Sequence, residues 1–162
     1  MSIILSNKPF ITIRETIPGD FQTLHEIRMS VKENALSNPS LVTEADYTYF
    51  MTVKGKGWLA EIDHAVAAFA IIDCLEQNIW ALFVRPGFDK MGIGKRLHDT
   101  MLDWYFASRN TQLWLGTSPN TRAEHFYRIA GWKENGMHNR EIRFTMSLAD
   151  WKNRTSSSQQ FF

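Results

Sequence analysis

The chain has a single cysteine, Cys74, among its 162 residues. One thiol makes neither an internal disulfide nor a multi-cysteine metal site, and it fits a reducing compartment. It ends the apolar run Val66-Ala67-Ala68-Phe69-Ala70-Ile71-Ile72-Asp73-Cys74, where a small buried or half-buried thiol is expected rather than a nucleophile. Long hydrophobic runs are missing as well, and no stretch approaches the length of a membrane span. Met1-Ser2-Ile3-Ile4-Leu5-Ser6-Asn7-Lys8 lacks a basic region followed by an extended apolar core, so no secretory signal is expected and the cytoplasm is the expected location. Nor is there an excess of charge of one sign. Lys and Arg number 18 against 17 Asp and Glu, a net charge of +1, so no global field recommends nucleic acid or an anionic membrane as a partner. His25, His64, His98, His125 and His138 show no metal-ligand spacing, and no metal is expected. His98 and His125 fall on predicted helices and are expected at the surface or a boundary. No internal repeat is present.

What the chain does have is an ordinary globular composition, 44% hydrophobic and 22% charged, in a length that suits one domain with a sizeable core. We place that domain at residues 1–150, followed by a polar, low-complexity tail at 151–162 that is expected to be mobile or held by a neighbour. Phe10-Ile11-Thr12-Ile13-Arg14-Glu15 alternates apolar and polar residues, the period of a strand. After the turn Pro18-Gly19-Asp20, with Asp20 as the expected N-cap, Phe21, Leu24, Ile27, Arg28 and Val31 recur at helical spacing. A second helix is predicted over 43–53, with Thr43 and Asp46 as a shortened capping box. Three strands follow, Trp58 to Ile62, Ala65 to Cys74 and Ile79 to Val84, the last apolar almost throughout as a central strand should be. A third helix opens near Gly92 with Ile93, Leu97, Met101 and Tyr105 on one face. Then come a strand at Gln112 to Gly116, a helix with Ala123, Phe126, Tyr127 and Ala130 on one face, and two closing strands near 132–134 and 141–148. The order β-α-α-β-β-β-α-β-α-β-β describes a mixed α/β sheet protein.

The chemistry is concentrated in Leu82-Phe83-Val84-Arg85-Pro86-Gly87-Phe88-Asp89-Lys90-Met91-Gly92-Ile93-Gly94-Lys95-Arg96-Leu97. A strand runs into a polar loop, and Gly-x-Gly opens a helix. Helix N-termini carry unpaired N–H groups and about half a positive charge, so they attract anions. Gly92 and Gly94 leave those donors uncovered, and Lys90, Lys95 and Arg96 add charge nearby. Such a short match is also met in plain strand-to-helix turns. It is not a P-loop, because Gly-Lys-Ser/Thr is absent, nor the full dinucleotide fingerprint, because Leu97 stands in place of the third glycine. A second element, Asn120-Thr121-Arg122-Ala123-Glu124-His125-Phe126-Tyr127, places an amide at the mouth of a helix and a phenol two turns in. Taken alone, Asn120 fits a cap residue and Tyr127 a core aromatic.

Together, Leu82-Phe83-Val84-x-Pro86, Gly92-Ile93-Gly94-x-x-Leu97 and Asn120-x-x-Ala123-x-x-x-Tyr127-x-x-x-Gly131-Trp132 resemble the GNAT superfamily of acetyl-CoA-dependent N-acetyltransferases. The resemblance runs from about Ile11 to Leu148. It implies a mixed, mostly antiparallel sheet of 6–7 strands flanked by about four helices, with acetyl-CoA as co-substrate. It implies that backbone groups of Phe83 and Val84 pair with the pantetheine arm like an added strand. Backbone amides of Lys90, Met91, Gly92, Ile93, Gly94 and Lys95 would hold the pyrophosphate, and Asn120 would touch the pantetheine. Tyr127 would sit by the thioester sulfur and protonate the departing thiolate. The family loop usually carries Gln or Arg where this chain has Asp89, an unfavourable neighbour for a diphosphate unless it pairs with Lys90 or Arg85 or points away.

The implied reaction is direct attack of an amine of a small molecule or peptide. An alkylammonium has a pKa of roughly 10 and must first lose a proton. The main-chain N–H of Val84 is the expected oxyanion donor. Glu33, Glu61, Asp73 and Glu76 are candidate bases, with Glu33 the choice for acceptor contact. Trp80, Trp114 and Trp132 fall on predicted strands, where core packing is the first expectation, and Trp80 is also a candidate for lining an amine pocket. By analogy with similar proteins, the closing strands and tail would pair across a two-fold axis to make a homodimer. The alternatives are a non-catalytic acyl-CoA sensor and an interaction module without ligand.

Overall fold

The computed structural model describes residues 10–32, 38 and 41–159, with side chains described as far as Arg154. In chain order it contains β1 (Ile11–Glu15), a 3-10 turn (Pro18–Asp20), α1 (Phe21–Ser30), α2 (Glu44–Tyr49) continued by a π-helical turn (Phe50–Lys54), β2 (Gly55–Ile62), β3 (Ala65–Asp73) and β4 (Asn78–Val84). Then follow α3 (Ile93–Ser108), β5 (Leu113–Thr117), α4 (Arg122–Ile129), β6 (Lys133–His138), β7 (Glu141–Met146) and α5 (Leu148–Gln159). One 7-stranded sheet runs in the order β1-β2-β3-β4-β5-β7-β6. Only the β4–β5 pair is parallel; the other neighbours are antiparallel.

The sheet separates two apolar cores. Leu97, Met101, Tyr105, Ile72, Phe144 and Trp132 belong to the larger one, under α3. Leu24, Ile27, Tyr47, Leu59, Phe69 and Ile71 form the smaller one, under α1 and α2. Alternation along β3 supplies both, with Ala70 and Ile72 facing one way and Phe69 and Ile71 the other. Each large side chain buried in this way stabilises the fold by about 1.5–3 kcal/mol. Cys74 is half-buried, and burial pushes its thiol up, as expected of an inert cysteine.

Local rules hold at several element ends. The Thr43 hydroxyl accepts from Asp46 N–H at 3.2 Å, and the Asp46 carboxylate accepts from Thr43 N–H at 2.8 Å. Asp63 and His64 both take positive φ, 49° and 69°, as a two-residue hairpin between β2 and β3 requires. Asp20 departs from expectation. Its carboxylate accepts from Ile17 N–H at 2.8 Å and pairs with Arg14 at 2.8 Å, so it closes the preceding 3-10 turn and makes no side-chain cap to α1.

Two further expectations are corrected. The polar tail begins as the ordered helix α5, because Ser147 Oγ accepts from Asp150 N–H at 3.1 Å and the buried Trp151 indole donates to Asp103 Oδ1 at 2.9 Å. The Trp151 anchor, with ion pairs from Asp150 to Lys133 and from Arg154 to Asp99, thus holds the start of a segment whose composition reads as loose. His98, expected at a surface or boundary, is fully buried. The Trp132 indole N–H donates to His98 Nε2 at 2.9 Å, which places the imidazole proton on Nδ1, facing Asp99 Oδ1 at 2.9 Å. Burial alone would raise the Asp99 carboxyl, but hydrogen bonds from His98 and Lys95 outweigh it and hold it down at about 2.

His98 makes stability depend on pH. Burial depresses its pKa below the ordinary 6.5, against the pull of Asp99. Below pH 6.5 the unfolded chain takes up a proton that the folded one refuses. The stabilisation is therefore present above that pH and is lost as pH falls toward the folded value. Urea midpoints are expected to be lower at pH 5 than at pH 7.5. His98→Gln, which keeps an acceptor for the indole, should flatten that difference; an equal difference in the variant would mean that His98 does not cause it.

Candidate active site

The unusual place in the sheet is its parallel pair. β4 and β5 are bridged only at Asn78↔Trp114, where Trp114 N–H donates to Gln77 O at 2.9 Å and Asn78 Nδ2 donates to Trp114 O at 3.2 Å. Beyond that point, among the described residues, β4 has no strand partner on the β5 side. On its other side β4 pairs with β3 as Val84↔Ala68, Phe83↔Phe69 and Leu82↔Ala70, and Arg85 N–H donates to Ala67 O at 2.7 Å. Antiparallel pairs alternate between bonded and non-bonded residues. With Arg85 bonded, Phe83 is bonded to β3 too, while the main-chain groups of Leu82 and Val84 point to the open side. The Phe83 backbone is thus turned to Phe69, and Leu82 and Val84 share the free edge.

The register slips between Ile71 and Ile72, so that Trp80 is an extra residue between Ile79 and Ala81. This bulge puts Trp80, Ala81 and Phe83 on the α1–α2 side, while Leu82 and Val84 pack with the α3 core.

At the C-terminal end of β4 the chain turns with positive φ at Gly87 (95°), Lys90 (67°) and Gly92 (77°). A β-carbon at Gly92 would meet nothing within 4 Å, so the backbone angle rather than crowding calls for glycine, and the space before it is open. No side chain caps α3 and no acid lies in its first turn. The first helical bond into this turn is Arg96 N–H to Gly92 O at 3.1 Å, so the N–H groups of Ile93, Gly94 and Lys95 have no acceptor within the helix. Met91 is 38% exposed, whereas the Ile93 side chain is buried and pins the turn to the core. The cationic side chains contribute less than their spacing suggests. Lys95 pairs with Asp99 at 2.6 Å, and Arg96 donates to Ile11 O at 3.4 Å. Only Lys90 remains as an exposed cation of the loop itself. The main-chain donors are what the turn presents.

Gly94 joins this turn to the rest. A β-carbon there would lie 3.5 Å from Val84 Cγ2 and 3.8 Å from Phe126 Cε2, so the free end of β4, the start of α3 and one face of α4 converge. Asp89 bridges the same gap, pairing with Arg122 at 2.8 Å and accepting from Gly87 N–H at 3.1 Å. Main-chain N–H groups of Asp89 and Gly87, and then Arg122, hold its carboxyl below the usual range. The acid is thus engaged with Arg122, neither Lys90 nor Arg85 being its partner. At the mouth of α4, Asn120 takes φ 62° and its N–H donates to Glu124 Oε1 at 2.9 Å, leaving an exposed amide side chain. Tyr127 lies in the next turns, 7% exposed, its ring against His98, Phe126, Trp132 and Phe144. Burial pushes its hydroxyl well above the ordinary 10.

On the other face of β4, Trp80 stacks on Phe50 (4.1 Å, 14°) and meets Tyr47 edge-on at 5.4 Å. The Arg28 guanidinium lies over Trp80 and Phe83, at 5.4 and 4.9 Å. Of the candidate bases, Glu61 pairs with Arg14 at 3.0 Å. Asp73 pairs with Lys54 at 3.2 Å and accepts from Leu75 and Glu76 N–H. Asp73 and Glu76 lie at the β3–β4 turn, about 20 Å along β4 from Val84. None of these three is brought to the opening, and Glu33 lies outside the described residues. Sequence reasoning overlooked Leu82, whose signal is its two-residue offset from Val84, and Arg28, whose signal is a charge placed in an apolar helical stripe.

A sheet split at its parallel pair, with a bare helix N-terminus at the mouth, defines a fold built to grip an extended phosphate-bearing carrier. The family model for Acetyltransferase (GNAT) matches residues 21–132, more than half of the chain, and the chain belongs to that family of N-acetyltransferases, whose co-substrate is acetyl-CoA. Solved structures share its fold. The PaiA N-acetyltransferase of Thermoplasma acidophilum, in complex with coenzyme A, is 16% identical with a TM-score of 0.74, covering 85% of this chain and 99% of that one. The ribosomal-protein-S18-alanine N-acetyltransferase of Escherichia coli is 18% identical with a TM-score of 0.71, covering 86% and 94%. A spermidine N-acetyltransferase chimera from Vibrio cholerae is 15% identical with a TM-score of 0.69, covering 88% and 98%. No curated protein sequence matches the chain. Among the described residues no helix is long and apolar enough to cross a membrane, and no cluster of His, Cys, Asp and Glu could hold a metal ion.

Proposed function

We propose that the protein acts in the cytoplasm and moves the acetyl group of acetyl-CoA to a primary amine of a small molecule or peptide, by direct attack in a ternary complex. One observation carries this reading: the uncapped start of α3, the free end of β4 and one face of α4 converge around Gly94. Acetyl-CoA supplies an activated thioester. N–H groups of Ile93, Gly94 and Lys95, with the loop from Lys90, hold the diphosphate. Val84 pairs with the pantetheine arm as a strand would, and the exposed Asn120 amide meets the same arm. Because the diphosphate sits at the Val84 end of β4, the thioester lies further back along that edge. Leu82 N–H, one step deeper on the same edge, therefore takes the oxyanion role first expected of Val84. Tyr127 donates a proton to the leaving thiolate. The acceptor enters from the Trp80 side. A homodimer through the exposed β6 edge belongs to the same proposal.

Coenzyme A at ~100 times its Kd is expected to stabilise the fold by roughly 2.7 kcal/mol, seen as a rise in Tm. A thiol-release screen with acetyl-CoA against amino acids, peptides, polyamines and aminoglycosides should find an acceptor. Stabilisation without release across the panel is what a non-catalytic acyl-CoA sensor would give. Absence of both refutes coenzyme binding.

A further inference from the structure

We propose that the acceptor is a primary amine bearing a carboxylate, and that Arg28 selects it by pairing with that carboxylate. This rests on the acetyltransferase reading above, since it specifies the acceptor of the same site.

Arg28 belongs to α1, yet it sits in the helical stripe that faces the sheet, beside the core residues Leu24 and Ile27. Its guanidinium is held against the faces of Trp80 and Phe83. With Ala81 these are the β4 side chains on the α1 side around Leu82, so Arg28 stands across the strand from the edge assigned to the thioester. Its Nε and Nη1 are buried without a hydrogen-bond partner among the described residues. Four other arginines are matched by carboxylates. Arg14 has Asp20 and Glu61, Arg122 has Asp89, Arg128 has Glu124 and Glu134, and Arg154 has Asp99. Among the described residues, the groups set against the Arg28 guanidinium are the Trp80 and Phe83 rings. Burial disfavours its charge, and the Tyr47 hydroxyl offsets this in part.

A guanidinium does not shed its proton in a protein, so this charge stays, largely withdrawn from water and unmatched among the described residues. Ring faces recover part of the loss, but a buried donor without an acceptor still destabilises the fold. An incoming carboxylate supplies the missing acceptors through charge-assisted hydrogen bonds, and the rings hold the guanidinium plane fixed for it. The same fixed cation repels a polycationic acceptor. The site therefore favours an amino acid, or a peptide amine close to a carboxylate, over a polyamine.

The test compares matched acceptors: β-alanine and γ-aminobutyrate, their amides, α-amino acids with acidic side chains, and spermidine. In the wild type the acid is expected to exceed its amide in kcat/KM by about tenfold or more, chiefly through KM, because a desolvated charge pair is formed with one and not the other. Arg28→Gln should bring that ratio close to one. Thermal shift with the same acceptors, with and without coenzyme A, reads binding apart from turnover: the acid should raise Tm in the wild type and not in Arg28→Gln. Without ligand, Arg28→Met should melt no lower than the wild type. Equal use of acid and amide, a ratio kept by Arg28→Gln, preference for spermidine, or a clear fall in the Tm of Arg28→Met would each overturn the assignment. Failure of the acetyltransferase reading looks different. Coenzyme A would then give no stabilisation and no amine would release thiol, while the binding comparison without coenzyme A still reports on Arg28.

Discussion

Tyr127→Phe is expected to lower turnover by ~10²-fold or more while coenzyme A binds with nearly unchanged affinity, the signature of a lost proton donor. The variant is clean because the ring does the packing. Tyr127 makes its aromatic contacts with His98, Phe126, Trp132 and Phe144 through the ring, all of which phenylalanine keeps. What disappears is one hydroxyl at the end of a side chain that is 7% exposed. Burial raises its pKa, so it holds its proton throughout the neutral range and is poised to donate rather than to accept. Its own titration should then add no basic limb to the pH–rate profile below pH ~10. Donation to a thiolate whose acid has a pKa of about 8.5 must be coupled to C–S cleavage, since an isolated transfer runs uphill. Steady-state kinetics with coenzyme A titration decides the matter. Unchanged turnover would leave Tyr127 as a packing residue, and a matched loss of Tm and turnover would point to damage of the core.

Gly94→Asp should abolish most coenzyme binding and leave the fold intact. The new β-carbon would stand at ordinary contact distance, 3.5 Å from Val84 and 3.8 Å from Phe126, with no positive φ to oppose it. A carboxylate in the first turn of a helix is favourable to the helix itself, by about 0.3–1 kcal/mol. The same carboxylate would project into the convergence of β4, α3 and α4, where the diphosphate is to bind. Like charges about 4 Å apart interact with roughly 4 kcal/mol at an effective dielectric of 20. Even half of that raises Kd by more than tenfold, and ~10²-fold is expected. Calorimetric titration gives Kd, and the Tm without ligand should stay level or rise slightly. Undiminished affinity would mean that the diphosphate does not lie at this turn.

The two predictions draw on different kinds of legibility. The strand-to-helix turn before α3 could be read from the chain because it depends on neighbours in sequence. An apolar strand, a short loop and glycines at two positions of a helix start are local, and local sterics make Gly92 adopt φ 77° and leave the next N–H groups bare. The capping pair Thr43–Asp46 and the hairpin at Asp63-His64 were legible for the same reason. Side-chain destinations were not. Lys95 and Arg96 look like phosphate ligands by proximity, but Asp99 and the Ile11 carbonyl claim them. His98 looks like a surface residue on a helix with Lys95 and Asp99 nearby, but Trp132, which arrives from the far side of α4, needs an acceptor inside the core. The tail looks disordered by composition, but Trp151 finds Asp103 48 residues away.

By itself the sequence pointed to the family through the resemblance of its motifs, and it determined the order of the elements from β1 to β7, the strand-to-helix turn that offers main-chain donors, and the phenol placed two turns into α4. The last three follow from spacing along the chain, where backbone geometry converts residue type into local shape. Only the tertiary structure decided that β4 and β5 part after a single bridge, that the β4 edge presents Leu82 and Val84 rather than Phe83, that Asp89 is tied to Arg122, and that Arg28 lies half-buried against rings with Nε and Nη1 unpartnered among the described residues. Those facts depend on register and on contacts between residues distant in the chain, and pairing across space is set by the packing of the whole sheet.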